Sequence, residues 1–179
     1  DFSHNMRSII PSLDKFTDGF ETGEVWTISG PTKHGKTTFC DTVGRNFTAQ
    51  GIPVLWFSFE MTYNKFLEKY RDAKAPVIYI PRERNKNNLG WIYRKVREAK
   101  LKYQCRVAFL DHLHFLIPAE QMFNNSQVAV GNAVRFIKTE IALGLNMCVF
   151  LIAHCKKLDF TQEPNENDIK DSAAIAQDT

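Results

Sequence analysis

The most chemically specific stretch of the chain is GPTKHGKT, Gly30 to Thr37. It fits the pattern G-x-x-x-x-G-K-[ST], and it lies between an apolar run, Val25–Ser29, and a helix-like segment. A phosphate-binding loop requires that context. Gly30 and Gly35 let the backbone through Pro31, Thr32, Lys33 and His34 curl, so that successive N–H groups turn inward toward phosphate oxygens. The helix that follows adds the positive end of its dipole at the same place. Lys36 would then reach the β- and γ-phosphates, and the Thr37 hydroxyl would ligate Mg²⁺, with Thr38 beside it in the same nucleotide-binding set. The expected cofactors are ATP and Mg²⁺.

A bound Mg²⁺ needs an acidic partner. The run Val107–Leu110 ends in Asp111, which places a carboxylate at a strand terminus as this chemistry demands. Many ATPases of this kind follow that Asp with a Glu that polarises the attacking water, but here the next residue is His112. The base must come from elsewhere. Glu60, closing the run FSFEM, is the candidate, because a carboxylate at the end of a buried strand can orient water in line with the γ-phosphate. The competing reading is a helix-start Glu held by the dipole of the helix that follows Thr62. His154 closes a further apolar run in the same manner, and its ring could donate a hydrogen bond to the γ-phosphate.

These residues need a scaffold that brings strand ends together. Five apolar runs recur along the chain: Val25–Ser29, Val54–Phe59, Val77–Ile80, Val107–Leu110 and Met147–Ala153. They are apolar throughout rather than alternating, as suits strands buried on both faces. Between them lie helical patterns. One runs from Lys36 to Gln50 and another follows Thr62. Leu89, Ile92, Val96, Ala99 and Tyr103 mark one helical face, and Val130, Val134, Ile137 and Ile141 mark another. Such alternation predicts an α/β fold, a mostly parallel sheet with helices on both faces, whose ligands collect at the carboxyl ends of the strands.

Composition removes other classes. Lys and Arg number 23 against 20 Asp and Glu, a formal charge of +3, so no dominant polyanion-binding or acidic character emerges. The longest apolar run, Met147–Ala153, is too short to span a membrane. The start lacks the pattern of a secretory signal. Four cysteines, Cys40, Cys105, Cys148 and Cys155, show neither C-x-x-C nor zinc-finger spacing, so Cys40 and Cys148 read as buried thiols in a reducing compartment. Residues 82–106 carry nine basic and two acidic side chains with Trp91, Tyr93 and Tyr103 interleaved. A nucleic-acid surface could have that composition. The helical spacing instead makes most of it the solvated face of an outer helix.

Taken in order, GPTKHGKTTF, FSFEM, VAFLDHLHFL, FLIAHCKK and DIKDSAAIAQDT resemble the ATPase core of DnaB-type replicative hexameric helicases, a group that includes phage primase–helicases and the mitochondrial helicase Twinkle. The lead-in LDKFTDGFETGEVWTISG is similar to the stretch before the phosphate loop throughout the RecA-like group. The resemblance implies a RecA-like P-loop NTPase core over residues 21–179, incomplete at its C-terminal end, after a lead-in or linker segment over residues 1–20. It assigns Glu60 to water activation and His154 to sensing the γ-phosphate, as in the phage and mitochondrial branch. It places Lys170, Asp171 and position 173 against single-stranded DNA. The family usually has Gly at that last position; Ala173 stands here. The family's arginine finger lies beyond Thr179. The implied protein is an ATP-driven motor translocating on single-stranded DNA as a homo-oligomeric, hexameric ring, with primase as a further partner and no membrane. Its expected location is the cytoplasm of a bacterium or phage-infected host, with the mitochondrial matrix as the alternative. A RecA-like recombinase or a clock-type oligomeric ATPase is the other reading of the same core.

Overall fold

The computed structural model describes residues 6–69, 78–82 and 88–154. Five strands form one sheet: β1 (Val25–Gly30), β2 (Val54–Ser58), β3 (Ile78–Tyr79), β4 (Val107–Asp111) and β5 (Cys148–His154). Their order across the sheet is β1-β5-β4-β2-β3, and every pairing is parallel. The helices are α1 (Pro11–Thr17), α2 (Lys36–Ala49), α3 (Tyr63–Lys69), α4 (Leu89–Tyr103) and α5 (Ala119–Phe136). The α/β architecture expected from the alternating runs is the one observed.

Both sheet faces are covered, and the strands divide their side chains between them with period two. Val54 and Trp56 of β2, Val107 and Phe109 of β4, and Cys148, Phe150 and Ile152 of β5 pack with Cys40, Val43 and Phe47 of α2 and Phe66 of α3. Their neighbours Leu55, Phe57, Ala108, Leu110, Val149 and Leu151 pack with Trp91, Ile92, Val96 and Ala99 of α4 and Val130, Val134, Ile137 and Ile141. All residues of β2 and β4 are buried, which accounts for their unbroken apolar sequence. β1 differs: Trp26 to Ile28 are half-buried and Ser29 is exposed, because β1 is an edge strand among the described residues.

Rings stack through the α2-side core. Phe109 lies between Trp56 and Phe150, at centroid distances of 4.5 and 4.8 Å, and Phe150 also touches Phe20 and Phe47. The lead-in segment joins this core. Met6 and Phe20 pair across an antiparallel bridge and are both buried in it. The Asp14 carboxylate ties the intervening turn by accepting from Ser8 N, Ser8 Oγ and Ile9 N.

The helical face that begins at Val130 does not stay α-helical. From Ile137 to Leu143 the chain widens into a π-helical turn. Gly144 closes it where an added Cβ would stand 2.6 Å from the Glu140 carbonyl oxygen. Lys100 of α4 donates to the carbonyls of Leu145 and Asn146 just beyond, satisfying acceptors that the helix end leaves open. On the same helix Glu98 pairs with Lys95 and Lys102. These basic residues of the 82–106 stretch thus have structural or solvated roles; residues 83–87 lie outside those described. Among the described residues no helix is long and apolar enough to cross a membrane.

Phe150 touches three other rings at the centre of one core, so Phe150→Ala should lower unfolding free energy by about 3–5 kcal/mol, measured by urea titration.

Candidate functional site

Parallel pairing aligns the carboxyl ends of the strands. Gly30 of β1 is level with His154 of β5, and Asp111 of β4 is level with both Ser58 of β2 and Ile152 of β5. The period-two pattern also selects a face. Asp111 follows Val107 and Phe109 in parity, and His154 follows Phe150 and Ile152, so both project on the side of α2, the helix that starts at the phosphate loop.

The loop itself curls through two left-handed positions, Lys33 at φ 68° and Gly35 at φ 80°. Glycine adopts this conformation without penalty, and Gly35 stands at the N-cap of α2. Lys33 tolerates it less well, which marks the loop as a strained turn. His34 Nδ1 lies 3.0 Å from the Thr32 carbonyl oxygen. Lys36 folds back across the loop and is buried there, donating from Nζ to the carbonyls of Gly30 and Pro31, each at 2.8 Å. The N-terminal amides of α2 have no side-chain cap.

Thr37 Oγ1 donates to Asp111 Oδ2 at 3.1 Å, joining residues 74 positions apart. Asp111 is nearly inaccessible, and burial together with the nearby Glu60 carboxylate pushes its pKa up to about 6, against the lowering effect of the Thr37 hydrogen bond and Lys36. Two oxygen ligands already side by side fit a hard cation such as Mg²⁺.

Glu60 stands just past β2 and is half-exposed. Its Oε1 lies 3.0 Å from His112 Nδ1 and 3.4 Å from His154 Nε2. The two imidazoles meet edge to face, 4.2 Å between centroids, and Phe115 packs on His112 at 4.4 Å. Burial chiefly, and then the neighbouring His154, push the His112 pKa down to about 4 despite Glu60, so His112 is neutral at physiological pH. The sequence marked position 112 only as a departure, the place where a Glu was missing. A polar residue directly after a strand-terminal Asp was the available signal.

Of the residues singled out in the sequence, the loop from Gly30 to Thr38, Glu60, Asp111 and His154 therefore gather at one rim. Lys170, Asp171 and Ala173 lie outside the described residues. Cys40, Cys105 and Cys148 are free and buried, and burial raises the pKa of each, to about 11 for Cys105.

Comparison with known proteins agrees with this arrangement. Residues 6–78 match the DnaB-like helicase C terminal domain. A DnaB-like replicative helicase described with its interactions with primase superposes with a TM-score of 0.86 at 19% identity, over 98% of this chain and 50% of that one. The chain has a DnaB-type, RecA-like ATPase fold. A second solved structure, an isolated ATPase domain, superposes with a TM-score of 0.80 at 19% identity, over 98% of this chain and 74% of that one. A probable replicative DNA helicase of Trieres chinensis is 33% identical over 64 residues, 35% of this chain and 14% of that helicase. This chain thus spans half the length of the first of these structures, and the matched segment is a smaller part of the Trieres protein. These relatives do not favour the recombinase or clock-type alternative.

The raised Asp111 pKa makes a signed prediction. A carboxyl whose folded pKa lies above its unfolded value favours the folded state when protonated, and that preference is lost as pH rises from about 4 through about 6. Asp111→Asn should therefore stabilise the nucleotide- and metal-free chain at pH 7.5, by on the order of 1 kcal/mol, with a smaller gain at pH 5. Thermal unfolding at the two pH values measures it.

Proposed function

We propose that this chain is the ATP-hydrolysing motor core of a replicative DNA helicase. The observation that carries the reading is one rim holding a phosphate loop, the Thr37–Asp111 pair and Glu60. In this reading the loop amides and the α2 N-terminus bind the phosphates. Lys36 exchanges its Gly30 and Pro31 carbonyl partners for the β/γ-phosphate oxygens. Thr37 and Asp111 hold Mg²⁺, which supplies charge neutralisation along the triphosphate. Glu60 accepts a hydrogen bond from the attacking water and orients it in line with the γ-phosphate, and His154, in contact with Glu60, senses that phosphate.

The same reading makes single-stranded DNA the track, contacted by Lys170, Asp171 and the backbone at Ala173, and a hexameric ring the working assembly. Several subunits must present such loops together, because one phosphate contact gives little affinity at physiological salt. Phe16 and Leu143 are strongly exposed apolar side chains, of the kind that a neighbouring subunit would cover. Primase is a candidate partner, on the precedent of the DnaB-like helicase described with it.

The division of labour is testable. Lys36→Ala should abolish nucleotide binding, whereas Glu60→Gln should retain it and lose hydrolysis, as read by fluorescent ATP-analogue titration and phosphate release. Equal loss of affinity in both would refute the assignment. His154→Ala should leave ADP affinity within about threefold, under ~0.7 kcal/mol, while uncoupling hydrolysis from DNA in the assembled protein. In that assembly Lys170→Ala should weaken DNA binding for all sequences alike and reduce the salt slope by about 1.

A further inference from the structure

We propose that Glu60, His112 and His154 form a binding site for a borderline divalent transition metal ion of the Zn²⁺ or Co²⁺ class, separate from the Mg²⁺ position at Thr37 and Asp111. One ligand atom from each of the three side chains lies within 4.8 Å of the others. The two distances to Glu60 Oε1, 3.0 Å from His112 Nδ1 and 3.4 Å from His154 Nε2, bracket the ligand-to-ligand edge of about 3.3 Å that bonds of ~2.0–2.1 Å give in a tetrahedral zinc site.

A second observation points the same way. The His112 side chain is only 8% exposed, yet its Nδ1, close as it is to the carboxylate oxygen, has no hydrogen-bond partner. A buried polar atom left in that state is costly, and a cation between nitrogen and oxygen would satisfy both. Phe115 and the ring of His154 pack against the His112 imidazole and restrict its orientation. Glu60 is half-exposed, so the third ligand can adjust and a coordination position stays open to water.

The donor chemistry separates this site from its neighbour. Two imidazole nitrogens and one carboxylate suit zinc, cobalt or ferrous iron, whereas a hydroxyl beside a carboxylate suits Mg²⁺. Buried thiols do not compete, since Cys40, Cys105 and Cys148 are enclosed in the cores. The consequence rests on the proposed function: an ion here occupies the carboxylate assigned to water activation and leaves Lys36 and Thr37 untouched. Occupancy would slow hydrolysis without displacing nucleotide.

The test titrates Co²⁺ into the reduced, metal- and nucleotide-free chain and follows visible absorption. One equivalent should produce the d–d bands of a low-coordinate nitrogen and oxygen site, without a thiolate charge-transfer band. Zn²⁺ should remove them stoichiometrically, and excess Mg²⁺ should not. His112→Asn, His154→Gln and Glu60→Gln should each weaken Co²⁺ binding at least about tenfold, and Cys155→Ser should not. Should His112→Asn fail to fold, His154→Gln at the less buried ligand carries the same test. Absent bands, bands that survive all three ligand substitutions, or bands lost only with Cys155→Ser would overturn the proposal. Binding is read without nucleotide, so it is independent of the reaction: a Glu60→Gln chain with full ATPase activity would remove the role of Glu60 in hydrolysis and leave the metal site standing.

Discussion

Parallel pairing in one register is the constraint on which the rest of this molecule depends. The strands β1, β5, β4 and β2 run the same way, so their carboxyl ends form a single rim, and their amino ends lie together at the far side. The sheet is covered by helices on both faces, so polar side chains on its central strands are tolerated only where the strands end. Ser58, Asp111 and His154 stand there, each the last residue of an otherwise apolar strand. A shift of one residue in β4 would turn Asp111 away from Thr37 and toward α4 and α5. Core packing and site geometry are therefore fixed by the same pattern of alternation.

The rim so formed concentrates ionisable groups where water is scarce. Burial disfavours charge of either sign, and it moves Asp111 upward and His112 downward, bringing both nearer neutrality. Lys36 shows the corresponding behaviour for a cation, with its ammonium satisfied by two carbonyls of its own loop. Each of these groups is held by local partners that a triphosphate and a dication would replace with stronger ones. Binding then substitutes charge-assisted hydrogen bonds for neutral ones, and the rim need not reorganise extensively to receive its ligand.

Much of this was legible in the sequence because it depends on local pattern. The apolar runs became strands β1 to β5, and the helical spacings at Leu89–Tyr103 and from Lys36 became α4 and α2. The glycine at 35 sits where a left-handed residue is required. The proximity of His112 to Glu60 was not legible, since it arises from the pairing of β2 with β4 across roughly fifty residues of chain, and no local spacing encodes it. Nor was the π-helical turn after Phe136 foreseen, because a face with the steps of Val130, Val134, Ile137 and Ile141 is equally compatible with an uninterrupted α-helix. β1 read as fully buried because Val25–Ser29 is short, and its edge position is a property of sheet order rather than of the run itself.

The lead-in segment shows how the phosphate loop is kept in place from behind. Helix α2 carries the loop at its N-terminus, and its C-terminal turn is tied down by Asn46, which donates to the Ser8 carbonyl, and by Gln50, which donates to the Arg7 carbonyl. Those carbonyls belong to a turn fixed by Asp14 and by the Met6–Phe20 bridge. Between its two ends α2 is clamped to the sheet by Cys40, Val43 and Phe47, all fully buried. A helix held along its length cannot absorb a displacement at its N-terminus by bending. Movement imposed on the loop by a phosphate must then pass either into the turn at Ser8 or into the sheet. The sheet is the stiffer of the two, because it is close-packed on both faces. The lead-in turn, held by a handful of hydrogen bonds, is the element through which events at the phosphate loop would reach the chain that precedes the core.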